Sequence, residues 1–411
     1  MPETKVLLGS ERIDFLDVLR AIALGGILLI NAMSILAVKG STPAFTVDVP
    51  WAERALQDAI LFFVESKFFT LFSLLFGISF AIQIGSAQRQ GATFLPRMAR
   101  RLLALLVFGM LHIAFLWDGD ILVIYAVTGS VLIAMRNLSD RALRRWVIGL
   151  LAVPATLVLL AFIASLVARA TEAGAAALGS GDLEVAASFA DTSGTQALLD
   201  ATFVGGIGER VGTYLELLPL LASRIPTVLA MFLIGLMVGR SDFLTDLPAR
   251  APLLRRARNV TFGIGLPIMA LIVLGTKVLP TTSALIAIIE DQYITGPLLC
   301  LGLASTIALA WIRRPDLRVF AWIRPMGQMA LTNYLSQSLV MTSIAYGWGL
   351  GLALRLSGFA VLGLSIALYV AQVLVSTIWL RHFRYGPAEW VWRCVTYGRM
   401  MPLRRTEALH S

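Results

Sequence analysis

Charge is scarce in this chain. Asp, Glu, Lys and Arg make up 14% of its 411 residues, while hydrophobic residues make up 58%. A soluble domain carries roughly a quarter charged residues, so a water-soluble enzyme or binding module is excluded. No stretch is both long and polar enough to form a separate soluble domain. Cysteine is nearly missing: Cys300 and Cys394 lie far apart, with neither metal-ligand spacing nor a disulfide framework. No metal and no tightly bound cofactor is expected. Histidine is equally rare, with three in the chain. The opening residues lack the small-residue cleavage site of a secretory leader, so the first apolar run reads as an uncleaved span. The net charge of +9 would suit nucleic acid, but the excess Lys and Arg falls in short segments between apolar runs. That is a membrane-topology signal, and no nucleic-acid partner is expected. Membrane lipids are expected partners, and a homo-oligomer is compatible with the sequence.

What is present is a series of apolar runs. A helical span needs about 20 such residues. The sequence predicts an all-α polytopic membrane protein with about ten transmembrane helices: 14–38, 64–85, 98–117, 119–136, 145–168, 213–239, 259–279, 284–311, 327–350 and 357–381. Residues 51–63 read as an interfacial helix or an extension of the second span. The chain reads as one integral domain, 1–411. Within it, 169–212 is an outer loop containing a short amphipathic helix near Leu183–Phe203, and 383–411 is an interfacial tail. The positive-inside rule puts both termini in the cytoplasm and the Asp118-Gly119-Asp120 turn on the outer side.

The polar residues inside these runs carry the functional reading, because they are expensive in lipid and usually functional. His112 is the histidine that falls within an apolar run, and Trp117, Asp118, Asp120 and Tyr125 follow it closely. At 1.5 Å per residue, His112, Asn31 and Arg224 lie about 21–25 Å from the cytoplasmic ends of their spans, with Glu65 and Lys67 slightly further out. Arg224 needs an anion, and Glu65, Asp118 and Asp120 are the nearest by depth. Pro226 is expected to kink the helix beside it. Asp17 and Arg20 share a helical face and are expected to pair. Asn333 and Gln337 share another face, suited to ligand contact or to interhelical hydrogen bonds. Structural readings stand beside the functional ones throughout: a satisfied core histidine, a capped turn, a buried ion pair.

The stretches Arg12 to Asn31, Lys67 to Gly77, His112 to Tyr125, Gly327 to Ser338 and Phe383 to Trp390 together resemble the YeiB-like family of bacterial membrane proteins, which carry a domain of unknown function. The first span is also similar to that of transmembrane acyltransferases of the heparan-glucosaminide acetyltransferase type, with Arg12, Asp17, Arg20 and Asn31 fitting and Ala21 replacing a glycine. That resemblance implies a transmembrane-acyltransferase-like fold in the bacterial inner membrane. It also implies acyl-CoA entering from the cytoplasm as co-substrate and an acceptor on the outer side. The catalytic histidine of those acetyltransferases lies in the loop after the first span, whereas residues 38–55 here contain none.

On this reading His112 is the general base or acyl carrier, and Asp118 or Asp120 orients it. Asn31 or Arg224 stabilises the oxyanion. Glu65, Lys67, Trp117, Tyr125, Asn333 and Gln337 contact substrate, and Arg20, Arg97, Arg100, Arg101 and Arg324 hold the phosphates of CoA. The alternatives are a transporter or flippase, whose buried charges bind substrate or relay protons, and a ligand-binding membrane protein without chemistry.

Overall fold

The computed structural model describes residues 9–37, 49–89, 94–171, 173–174, 176, 178–180, 193–279, 286, 289 and 291–405. The described chain is all-α. Its named helices are α1 (Gly9–Ile35), α2 (Trp51–Phe63), α3 (Lys67–Arg89), α4 (Phe94–Phe115), α5 (Leu122–Met135), α6 (Asp140–Ala168), α7 (Ser193–Asp200), α8 (Ile207–Ala222), α9 (Ile225–Arg240), α10 (Ala251–Val278), α11 (Thr295–Arg313), α12 (Arg318–Gln328), α13 (Ala330–Ala345), α14 (Gly358–His382) and α15 (Pro387–Tyr397).

Among the described residues, seven stretches are long and apolar enough to cross a membrane, or eight if the bent pair α8–α9 forms one span. Each of the ten expected segments meets a helix, but two are too short for a full crossing. The α5 helix has 14 residues and α13 has 16, which reach about 21–24 Å against a hydrocarbon core of about 30 Å. The expected kink near Pro226 is a complete break: α8 and α9 meet at 60°. Pro226 lies in the first turn of α9, where its missing N–H is harmless. Residues 51–63 are a separate helix, joined to α3 through a turn at 64–66 within an apolar stretch of 37 residues. Of the expected loop helix at Leu183–Phe203, Ser193–Asp200 is helical, while 181–192 lie outside the described residues.

Local chemistry sets the helix ends. The Ser139 hydroxyl accepts from the Ala142 N–H at the start of α6, and Ser357 does the same for Ala360 at the start of α14, as N-caps do. The α6 helix is apolar, packs on α9 along one side and buries only Leu143, Ala155 and Ser165. An apolar helix side left exposed in this way is one facing lipid. The centre is built on α3 and α9. A methyl group on Gly77 would meet the Phe232 carbonyl at 2.1 Å, and one on Gly235 would meet the Leu74 carbonyl at 2.2 Å. Glycine at both places lets the two backbones touch, the usual device of helix packing in lipid. The α1 and α11 helices pack against α3, and α5 and α6 against α9.

Candidate functional site

The turn after α4 is built around close approach. A Cβ on Gly119 would lie 2.2 Å from the Trp117 ring, so only glycine lets that ring fold over the turn. Trp117 then stands edge-on to His112, with centroids 6.5 Å apart at 78°. Asp120 is buried rather than solvated. One of its oxygens accepts the Val123 N–H at 2.7 Å, capping α5. The other lies 3.2 Å from His112 Nδ1, off the line of a good hydrogen bond. The Nε2 atom of His112 lies 2.8 Å from Ser338 Oγ, and the Tyr334 ring stacks on the imidazole at 5.2 Å. The short helices α5 and α13 thus deliver Asp120, Ser338 and Tyr334 to the end of α4.

Asp118 is held near Arg210 and His112. Burial pushes its carboxyl up to about 6, against the pull of hydrogen bonding and those two neighbours. Arg210 itself is buried and donates to the carbonyls of Ala114 and Phe203 at 2.9 Å, tying α8 to the end of α4.

Two cavities lie end to end along α1. The larger, of about 350 Å³, is reached from the N-terminal half of α1 at Leu16, Arg20 and Leu24. Its mouth carries Arg20, Arg101 and Arg393, and its deeper walls include Leu105, Phe72 and Tyr125. The smaller, of about 60 Å³, lies beside Asn31 in the C-terminal half and is lined by Glu65, Arg224 and Gly119. Ile27, Ile121 and Tyr334 line both cavities and form the partition between them.

The arginines at the mouth are short of anions. Arg20 pairs with Asp17, as expected, and donates to Ser79 at 2.8 Å. Arg101 lies over the Trp392 ring at 3.6 Å, with Arg393 and Arg20 as its repelling neighbours. Glu389 also lines this cavity, but its carboxylate is spent on α13: it accepts from the N–H groups of Leu331 and Thr332 and from the Thr332 hydroxyl at 2.5 Å. Tyr125 hydrogen-bonds Ser73 at 2.7 Å and the Phe69 carbonyl at 2.9 Å.

Several residues expected at one site are elsewhere. Lys67 turns away to Asp291, 3.1 Å from both carboxylate oxygens. Arg324 pairs with Asp14 at 2.5 Å. Arg97 packs over Tyr397, and Arg100 donates to the Pro96 carbonyl; neither lines the large cavity. Asn333 and Gln337 bridge to α14 through Ser376 and Gln372 at 3.0 and 2.9 Å, as interhelical hydrogen bonds. Arg224 and Glu65 share the small cavity, where Arg224 is the first of the cations offsetting the burial of Glu65. Its guanidinium rests 5.5 Å from the Phe69 ring.

Sequence reasoning missed Ser338, Arg393 and the site role of Tyr334. One signal was present: Tyr334 and Ser338 are four apart and share a helical face.

The family described as a protein of unknown function (DUF418) matches residues 238–399. Uncharacterized protein YxaH of Bacillus subtilis (strain 168) is 32% identical over 98% of this chain and 99% of its own length. The chain belongs to this YeiB-like family. Uncharacterized protein YeiB of Escherichia coli (strain K12) is 28% identical, covering 94% of this chain and 96% of its own. An uncharacterized 39.9 kDa protein in the amylase 3' region of Bacillus acidopullulyticus is also 28% identical, covering 96% of each. No solved structure matches the chain significantly. The DUF418 match takes in α13 and α15, hence Tyr334, Ser338 and Glu389, while His112 and Asp120 come from the half before it.

Proposed function

We propose that this YeiB-like protein is an integral-membrane acyltransferase of the bacterial inner membrane, with both termini cytoplasmic. It moves an acyl group from cytoplasmic acyl-CoA to an acceptor at the outer side. The observation that carries this reading is the pair of cavities stacked along α1 and meeting at Ile27, Ile121 and Tyr334 beside His112. The large cavity offers three arginines at its mouth and apolar walls beyond, which suits a phosphate-bearing group followed by an acyl chain. The small cavity, with Asn31, Glu65 and Arg224, suits the polar end of an acceptor. His112, held between Asp120 and Ser338, supplies the base.

A transporter is the second reading, favoured by the 60° break between α8 and α9 next to Arg224, since broken helices mark substrate sites in that class.

The test is calorimetric titration of CoA and short acyl-CoAs into detergent-purified full-length protein, with Arg101→Ala/Arg393→Ala alongside. Saturable binding, weakened about tenfold or more per lost charge-assisted contact, is the expected result. Folded protein that binds no acyl-CoA overturns the reading and moves the search to transported solutes.

A further inference from the structure

Three hydroxyl side chains of α13 fold back onto their own helix. Ser336 donates to the Asn333 carbonyl at 3.0 Å, Thr342 to that of Ser338 at 2.7 Å and Ser343 to that of Leu339 at 2.7 Å. That is the ordinary fate of Ser and Thr inside a helix, because the backbone is the nearest acceptor. Ser338 departs from it. Its buried Oγ is turned off the helix toward His112 Nε2, 2.8 Å away.

The other ring nitrogen faces a carboxylate. Nδ1 faces Asp120 Oδ1 at 3.2 Å. An ionised carboxylate only accepts, which assigns the ring proton to Nδ1 and leaves the Nε2 lone pair to accept from the Ser338 hydroxyl. His112 therefore presents Nε2 to Ser338, and its basicity reaches a ligand through that hydroxyl. Base against nucleophile, with a third group orienting the base, is the arrangement that activates a hydroxyl.

We propose that Ser338 is the nucleophile of this site, and that acyl transfer passes through an ester on its Oγ. The proposal rests on the acyltransferase reading. In the first half, Ser338 Oγ bonds to the thioester carbonyl carbon while its proton moves to His112 Nε2. The C–S bond then breaks, and the departing thiolate takes that proton. In the second half, the acceptor X–H attacks the Ser338 ester carbonyl and gives its proton to Nε2. The bond to Oγ breaks, and Ser338 recovers the proton.

Tyr334 fits the remaining need. It is one turn from Ser338 on the same face and lines both cavities. Its hydroxyl is buried without a hydrogen-bond partner, the Ile121 backbone lying near it but out of bonding geometry. A buried O–H left unpaired is costly to the folded protein. A carbonyl oxygen gaining charge at the partition is a suitable partner for it. His112 and Ser338 line neither cavity, and the Tyr334 ring, which lines both and stacks on His112, stands between them and a bound donor.

The experiment uses full-length protein in detergent and two probes: p-nitrophenyl acetate, which carries its acetyl group without CoA, and acetyl-CoA. After acid quench, peptide mass spectrometry locates the acetyl group. The expected result is an ester on Ser338 with both probes. It should be absent from Ser338→Ala, form at least tenfold more slowly in His112→Ala and return as a thioester in Ser338→Cys. Acetyl found on His112, or undiminished labelling in Ser338→Ala, overturns the proposal. Ester from p-nitrophenyl acetate alone supports the nucleophile and counts against acyl-CoA as donor. Acyl-CoA binding without a Ser338 adduct from either probe sinks the nucleophile and leaves acyl transfer standing as a direct step.

Discussion

Two buried charge clusters of this protein differ in how completely they are satisfied. Lys67 Nζ meets both oxygens of Asp291 at 3.1 Å, the Leu61 carbonyl at 3.0 Å and Met269 Sδ at 3.3 Å, and Asp291 also accepts from Thr295. The ammonium has no donor to spare and reaches neither cavity. The His112 cluster is as deeply buried, yet His112 Nδ1, Asp120 Oδ1 and the Tyr334 hydroxyl are all without a proper hydrogen bond. Saturated charges hold α3 against α11. Unsaturated ones beside two cavities retain interaction energy for a ligand, and local rules are broken where function needs it. The comparison ranks Lys67, a substrate-contact candidate in the sequence, as structural.

The sharpest way to break this contrast is to open the saturated pair. Asp291→Ala strands a buried ammonium and should cost about 3–5 kcal/mol, read as a large fall in thermal midpoint of the detergent-purified protein. Ser338→Ala removes one hydroxyl from the unsaturated cluster and should cost about 1 kcal/mol. Similar losses for both, or a small loss for Asp291→Ala, would erase the distinction between a structural and a functional cluster.

The next effect tests how the unsaturated cluster is held in place. Glu389 caps the first turn of α13, the helix that carries Tyr334 and Ser338, from outside the spans on α15. Glu389→Ala should cost about 1–2 kcal/mol, as loss of an N-cap does. Glu389→Gln, which keeps an acceptor, should cost less. If the cap positions the site, acetylation of Ser338 by p-nitrophenyl acetate slows in Glu389→Ala and recovers in Glu389→Gln. Equal rates in both would confine Glu389 to stability.

Hydropathy alone made the membrane architecture legible, because each span must satisfy its own backbone. The sequence placed His112, Asp120 and Tyr125 together, since they flank a single turn. Asn31 and Arg224 were legible by counting depth. What escaped was direction around the helix axis. Depth puts Lys67 level with Glu65, but only packing reveals that Lys67 faces α11 while Glu65 faces the cavity. Ser338 was illegible for the same reason: its neighbour Gln337 is the more polar residue, yet Gln337 is turned to α14 and Ser338 to His112. The arginines of the basic segments read alike in sequence. Arg101 and Arg393 reach the cavity because α15 folds back on α4, with the Trp392 indole donating to the Arg101 carbonyl at 2.9 Å.

The smallest effect concerns Asp118, one turn-residue away from Asp120 and of opposite character. Burial raises its carboxyl from the ordinary 3.8 to about 6, so the folded protein favours the protonated form more than the unfolded chain does. The stability this contributes is fully present below about pH 4 and is lost as pH rises through 6. Asp118→Asn should flatten the stability profile between those limits and stabilise the protein above pH 6, by under about 1 kcal/mol once solvent screening is allowed for. Thermal midpoints of both proteins from pH 4 to pH 8 decide it. Parallel curves would mean that Arg210 and His112 already neutralise Asp118, which would then belong with the saturated charges and leave the unsaturated cluster to begin at Asp120.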